Sequence, residues 1–291
     1  MKFLNAAMAF PFRFAYFFSQ SFVPVRSERV PGTQPKMISI TNPQAPVQYE
    51  SEPVAEVINS NRDNHLWLQC WLDQHTDFHQ TEVNPLLSKF WPSLELSKNS
   101  RIFVPLCGKS LDMIWLAGQG HEVIGVELSP VAVNDFFREN GLQPIKQEAG
   151  PFTLWRNGKI SILCGDFFAL TKADLGKFDT VYDRAALTAL PENIRALYVT
   201  HLSSLVPGAA KVFLLTIEDA AENATMIQAN GVDDEIEKLY SLGFEIDLAY
   251  VESVFEPDLE SPVHALKRAE YKVYRLTSKQ VTFDTEPVIT L

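Results

Sequence analysis

Apolar residues recur in two rhythms along this chain. Between residues 101 and 216, short continuous apolar runs alternate with longer stretches whose apolar positions fall three and four apart. The runs at 101–104, 122–127, 159–164, 178–183 and 211–216 have the length and the β-branched and aromatic content of strands buried on both faces. The stretches at 111–119, 130–140 and 192–205 carry the helical spacing. Ser129 is placed to cap the second of these, with Pro130 in its first turn and Gly141 at its end; the third stops before Pro207-Gly208. Strands alternating with helices predict a parallel, doubly wound α/β sheet.

The pattern changes on both sides of this series. Residues 37–62 are polar and contain Pro43, Pro46 and Pro53, which reads as a linker. From Asn64 aromatics return at helical spacing: Trp67 and Trp71, four apart, share one face of a predicted helix. A further helix is expected at 84–94, broken before Pro92. Beyond the fifth strand, a helix at 232–242 closes at Gly243, and the strand-like runs at 244–254 and 270–276 have no long helix between them. Such a pair runs antiparallel at a sheet edge. The expected fold is α/β and Rossmann-like: a mostly parallel, seven-stranded sheet, helices on both faces, and an antiparallel C-terminal strand.

Composition narrows the class. A chain of 291 residues, 46% hydrophobic, can bury one large core, and only one series of core strands is visible. Its parts read as an extension at 1–62, a folded domain at 63–278 with an aromatic helical cover at its start, and a tail at 279–291. The formal net charge of −11 disfavours a nucleic-acid-binding face. Cys70, Cys107 and Cys164 lie far apart without a Cys-x-x-Cys pair. That argues against a disulfide framework and a zinc site, and for a reduced, cytoplasmic compartment. No run reaches the roughly 18 apolar residues needed to span a membrane. The first 36 residues differ, with Lys2, Arg13, Arg26, Arg29 and Lys36 against Glu28 alone. Two readings stand for them: an organellar targeting peptide, or an N-terminus that is disordered or wrongly assigned, with Met37 as the true start.

Candidate chemistry gathers at the strand ends. The first strand feeds a turn, Pro105-Leu106-Cys107-Gly108-Lys109-Ser110, where Gly108 lets a ligand approach the backbone. The second ends in Glu127, roughly 20 residues on, where nucleotide-binding α/β folds place the acid that takes ribose hydroxyls. The third ends in Cys164-Gly165-Asp166-Phe167, with Asp166 suited to an adenine amine and Phe167 to the ring. The fourth ends in Asp183-Arg184. Open sheets bind ligands beyond the carboxyl ends of their strands. The three-glycine dinucleotide loop is missing, so S-adenosyl-L-methionine is preferred over NAD.

The runs Arg101-Ile-Phe-Val-Pro-Leu-Cys-Gly-Lys-Ser-Leu-Asp-Met113 and Gly120-His-Glu-Val-Ile-Gly-Val-Glu-Leu-Ser129 resemble the thiopurine S-methyltransferase family. Phe78-His79-Gln80 behind Trp67 and Trp71, and Phe178-Asp-Thr-Val-Tyr-Asp-Arg184, match as well. The resemblance implies a class I methyltransferase using S-adenosyl-L-methionine, with Trp67, Trp71, Phe78, Leu106 and Glu127 lining the cofactor pocket. It implies Asp166 and Phe167 on the adenine side, Arg184 near the sulfur end, and the N-terminal aromatic helix as a cover. Two stretches depart from the family: 218–228 lacks its prolines, and 257–262 lacks its basic and aromatic residues.

The expected reaction is displacement at the sulfonium methyl by a soft nucleophile, the thiol or selenol of a small molecule. Such an acceptor needs little general base, since its ionised form reacts. Arg184 could hold it or favour its anion, and His79 and Asp183 are candidate proton acceptors. Cys107 reads as a packed residue. Two alternatives remain: methylation of selenium or tellurium oxyanions, and a non-catalytic adenosyl-binding module. The partners expected are the small acceptor alone, with no nucleic acid or membrane, for a monomer.

Overall fold

The apolar runs become strands because each must bury both faces. In the computed structural model they form the centre of one nine-stranded sheet. The structure describes residues 63–208, 210–219, 231–257 and 266–279. In chain order, helix α1 is Asn64–Leu72 and α2 Pro85–Phe90, which runs into a 3-10 turn at Trp91–Leu94. Then come β1 (Arg101–Val104), α3 (Asp112–Gly118), β2 (Glu122–Glu127), α4 (Pro130–Glu139), β3 (Ile145–Ala149), β4 (Phe152–Asn157) and β5 (Ile160–Cys164). A 3-10 turn at Phe167–Ala169 and the short α5 (Lys172–Leu175) lead to β6 (Thr180–Arg184). The chain continues through α6 (Glu192–Leu205), β7 (Lys211–Asp219), α7 (Asp234–Tyr240), β8 (Phe244–Pro257) and β9 (Leu266–Ser278).

The strand order is β3-β4-β5-β2-β1-β6-β7-β9-β8. The centre, β5-β2-β1-β6-β7, is parallel throughout. From β1 the chain winds outward to β2 and β5, then returns to β6 on the other side of β1. The order therefore reverses between β1 and β6, and an open α/β sheet offers its ligand crevice at such a point.

The sequence expectation of seven strands is short by two. Besides the expected β8–β9 edge there is a second antiparallel edge, with β3 pairing β4 and β4 pairing β5. Four of the five β3 residues are exposed, so no alternating pattern marks it. Asn157-Gly158 was the available turn signal: Gly158, at φ +55°, opens the two-residue loop from β4 into β5.

Alternation along the strands sorts the core into two layers. Ile102 and Val104 join α2, α3 and α4 on one face, while Phe103 and Val181 join α6 and α7 on the other. Each fully buried side chain of this size contributes about 1.5–3 kcal/mol. Ser129 caps α4 as expected, accepting from the Ala132 N–H at 3.3 Å. Among the described residues no helix is long and apolar enough to cross a membrane.

Candidate active site

The turn after β1 is tight, and β2 shapes it. Cys107 N–H donates to the Val126 carbonyl at 2.9 Å, tying the turn to the end of β2. Leu106 and Gly108 both have left-handed backbone, at φ +45° and +52°. At Gly108 a Cβ would also sit 3.2 Å from the Trp71 ring, so glycine is needed for shape as well as conformation. Cys107 packs against Gly125, whose missing Cβ would lie 2.7 Å from the sulfur.

Glu127 closes this turn. Its carboxylate is 7% exposed. One oxygen accepts the Gly108 N–H at 2.8 Å and the other the Ser129 N–H at 2.7 Å. An ionised carboxylate has about four acceptor positions, so these backbone donors leave capacity for a ligand hydroxyl. Burial raises its pKa, while the N–H groups of Ser129, Gly108 and Leu128 pull the other way. A pinned acid beside a glycine turn under an indole fits a nucleoside ribose.

Over the turn lies the aromatic cover. The Phe78 ring meets Trp67 and Trp71 edge-on, with centroids 5.4 and 5.3 Å apart. Such pairs add about 0.5–1.5 kcal/mol beyond burial. Trp67 Nε1–H donates to the Ala189 carbonyl at 3.2 Å, reaching across to the loop after β6. On β6, Arg184 Nε lies 3.3 Å from Asp112 Oδ2, and the Arg184 side chain is 16% exposed. The next residue, Ala185, has φ +64°. Strained backbone thus flanks both strands of the switch point, at Leu106 and Ala185.

With this geometry in place, comparison with known proteins is decisive. The family described as thiopurine S-methyltransferase matches residues 62–279. The chain belongs to that family. A thiopurine S-methyltransferase of Stutzerimonas stutzeri is 61% identical over 221 residues, 76% of this chain and 93% of that protein. One of Bordetella petrii is 42% identical over 214 residues, 74% of this chain and 98% of that protein. Among solved structures, a Burkholderia thailandensis 1,6-didemethyltoxoflavin-N1-methyltransferase with bound 1,6-didemethyltoxoflavin and S-adenosylhomocysteine is similar. Its TM-score is 0.50 at 15% identity, covering 81% of this chain and 95% of that one, a likeness of fold. As a thiopurine S-methyltransferase family member, the chain is an S-adenosyl-L-methionine-dependent methyltransferase with the α/β fold expected.

Within this family member, the structure brings Trp67, Trp71, Phe78, Gly108 and Glu127 into one connected set, with Leu106 in the same turn. Arg184 stands at the end of neighbouring β6. Asp166 accepts the Phe168 N–H at 2.9 Å and starts the 3-10 turn after β5. Phe167 is placed differently from the sequence expectation. Its ring is 2% exposed, packed 4.9 Å from Tyr198 and 5.1 Å from His201. The tight 3-10 turn aims it into the core, so it offers no open face to an adenine.

Asp183 and Arg184 are neighbours in sequence but not in use. Successive strand residues point to opposite faces. Arg184 shares its face with Tyr182 and Asp112, whereas Asp183 is fully buried under α6. Its carboxylate accepts from the Tyr198 hydroxyl at 2.7 Å and the Ala186 N–H at 3.3 Å. Burial lifts its pKa to about 6, against the pull of those donors. Asp183 therefore acts as a core acceptor, away from Arg184, and not as the proton acceptor expected. His79 is held near 4 by burial and by Lys109 and Arg184 nearby, partly offset by Glu139 and Asp112. It is neutral at physiological pH. Burial pushes the Cys107 thiol well up, in keeping with a packed residue.

Sequence reading gave Asp112 no role, yet it is the polar centre of the β6 side. Its signal was an acid opening a helix whose neighbours, Leu111 and Met113, are apolar. The substrate-side departures fall largely in 220–230 and 258–265, outside the described residues, as do residues 1–62 and 280–291.

Proposed function

We propose that this chain transfers a methyl group from S-adenosyl-L-methionine to the thiol or selenol of a small molecule, through one catalytic domain at 63–278. The observation that carries the reading is the Glu127 carboxylate, pinned by Gly108 and Ser129 N–H groups at the glycine turn against which the Trp71 ring lies. When bound, the cofactor supplies a methyl already activated on a sulfonium. The protein's residues then bind, align and exclude water. Glu127 accepts the ribose hydroxyls with charge-assisted hydrogen bonds. Leu106 and Gly108 present backbone, and Asp166 serves the adenine amine. Trp67, Trp71 and Phe78 keep water from the reacting atoms. Arg184, near the sulfur end, holds an anionic acceptor and favours its ionised form.

The partner is a small molecule, with no nucleic acid or membrane, for a monomer in the cytoplasm; residues 1–36 leave an organellar address open. The test is purified protein with S-adenosyl-L-methionine and a panel of aryl thiols, selenols and selenite, read as S-adenosylhomocysteine formed. Turnover of thiols is expected. Turnover of selenite alone shifts the reading to oxyanion detoxification. Cofactor binding with no turnover leaves an adenosyl-binding module, and affinity for NAD instead overturns the reading.

A further inference from the structure

Asp112 is the first residue of α3 and is 1% exposed. A buried carboxylate is costly unless its oxygens are satisfied. Two hydrogen-bond donors and one guanidinium, from distant parts of the chain, converge on it. Oδ1 accepts the Asn84 N–H at 2.8 Å. Oδ2 accepts the Tyr182 hydroxyl at 2.7 Å and stands 3.3 Å from Arg184 Nε. Asn84 also caps α2, the helix that follows the Phe78-His79 segment of the cover, and its side chain accepts from Leu86 at 2.9 Å. One carboxylate therefore meets the end of the cover on one oxygen and the end of β6 on the other.

The chemistry of the pairing matters. A guanidinium is rigid and planar, so an ion pair held on its Nε side turns both Nη groups the other way. Among the described residues neither Nη of Arg184 has an acceptor, and the side chain keeps some exposure. We infer that Asp112 is a positioning residue for methyl transfer: it anchors Arg184 by Nε and leaves the Nη edge for the acceptor, in register with the cover through Asn84. The inference rests on Arg184 serving the acceptor, as proposed above. The competing view is that Asp112 merely staples α2, α3 and β6 together.

A double-mutant cycle separates them. In Asp112→Asn the amide must turn its NH2 toward one of the former donors, so Arg184 loses its charged anchor while volume is kept. The expected result is a fall in kcat of ~10- to 100-fold, the scale of small misalignments, with cofactor Kd within ~3-fold. In the Arg184→Ala background the same change should cost less than ~3-fold, since the pair acts as one unit. Asp112→Glu, which keeps the carboxylate, should recover most of kcat. Equal losses from Asp112→Asn in both backgrounds overturn the inference, as does an unchanged kcat in the single variant. If Arg184→Ala itself leaves kcat untouched, the acceptor reading falls and this inference with it. Thermal unfolding and calorimetric cofactor binding monitor folding. Should Asp112→Asn fail to fold, Arg184→Lys tests the same pairing: it keeps a charge beside Asp112 but not the planar Nη edge, so a fall in kcat of ~10-fold or more with cofactor Kd within ~3-fold supports the inference, and an unchanged kcat overturns it.

Discussion

The two sides of the switch point are built differently. On the β1–β2 side, contacts are short in sequence and made by backbone: Gly108 N–H reaches Glu127 over 19 residues, Ser129 N–H over two. On the β6 side they are long and made by side chains: Tyr182 meets Asp112 over 70 residues, and Trp67 meets Ala189 over 122. A site of consecutive strand ends and backbone donors forms whenever the sheet forms. A site of converging side chains requires the cover, α3 and β6 all to be docked. On the proposed function the first side holds the cofactor and the second meets the acceptor.

The contrast breaks most visibly at Arg184. Arg184→Ala should reduce turnover by ~100-fold, the scale of lost alignment, while cofactor binding changes far less. Steady-state kinetics beside calorimetry checks this, and equal losses in both would erase the division between the sides. Next in size is Glu127→Ala, which should weaken cofactor binding by about 1–3 kcal/mol through lost charge-assisted bonds. An unchanged Kd would take Glu127 out of the site.

Within β6 itself, Asp183 and Arg184 test whether the two faces have separate jobs. Burial holds the Asp183 pKa near 6 against an ordinary 3.8. Below about pH 4 the group is protonated whether folded or unfolded and contributes nothing. Between 4 and 6 the folded chain keeps a proton the unfolded chain has lost, so this group makes stability fall as pH rises. Above 6 the loss is complete. Asp183→Asn keeps an acceptor for the Tyr198 hydroxyl and removes that slope, so its advantage over the parent should grow by on the order of 2 kcal/mol from pH 4 to 6. His79, lowered to about 4, acts in the opposite sense over the same range but is common to both proteins. Denaturation curves that stay parallel across the range would refute the assignment.

The smallest effect is at Ala185, whose φ of +64° strains an L-residue. Ala185→Gly should stabilise by roughly 0.5 kcal/mol, because relief of left-handed strain exceeds the added freedom of the unfolded chain. A lower Tm would show that the loop after β6 is held by its side chain instead.

The parts of the fold legible in the sequence are those with a strong local signal. The five parallel strands, the Ser129 cap and the β8–β9 edge carry periodicity or cap chemistry, and all appear. The β3–β4 hairpin does not, because β3 lies at the sheet edge and exposes most of its side chains. Phe167 misled for a related reason: a residue just past a strand can face the ligand or the core, and the 3-10 turn that decides it is set by Asp166 capping Phe168.

From the sequence alone came the parallel sheet, the glycine turn and an acid, Glu127, at the end of the second strand. These follow from residue type, spacing and backbone, which are local properties. Only the tertiary structure decided that Asp112 sits between Asn84 and Arg184, that Asp183 looks away from its neighbour, and that Trp67 reaches Ala189. Such pairings depend on which faces of separate elements are packed together, and that is fixed by burying the whole core at once.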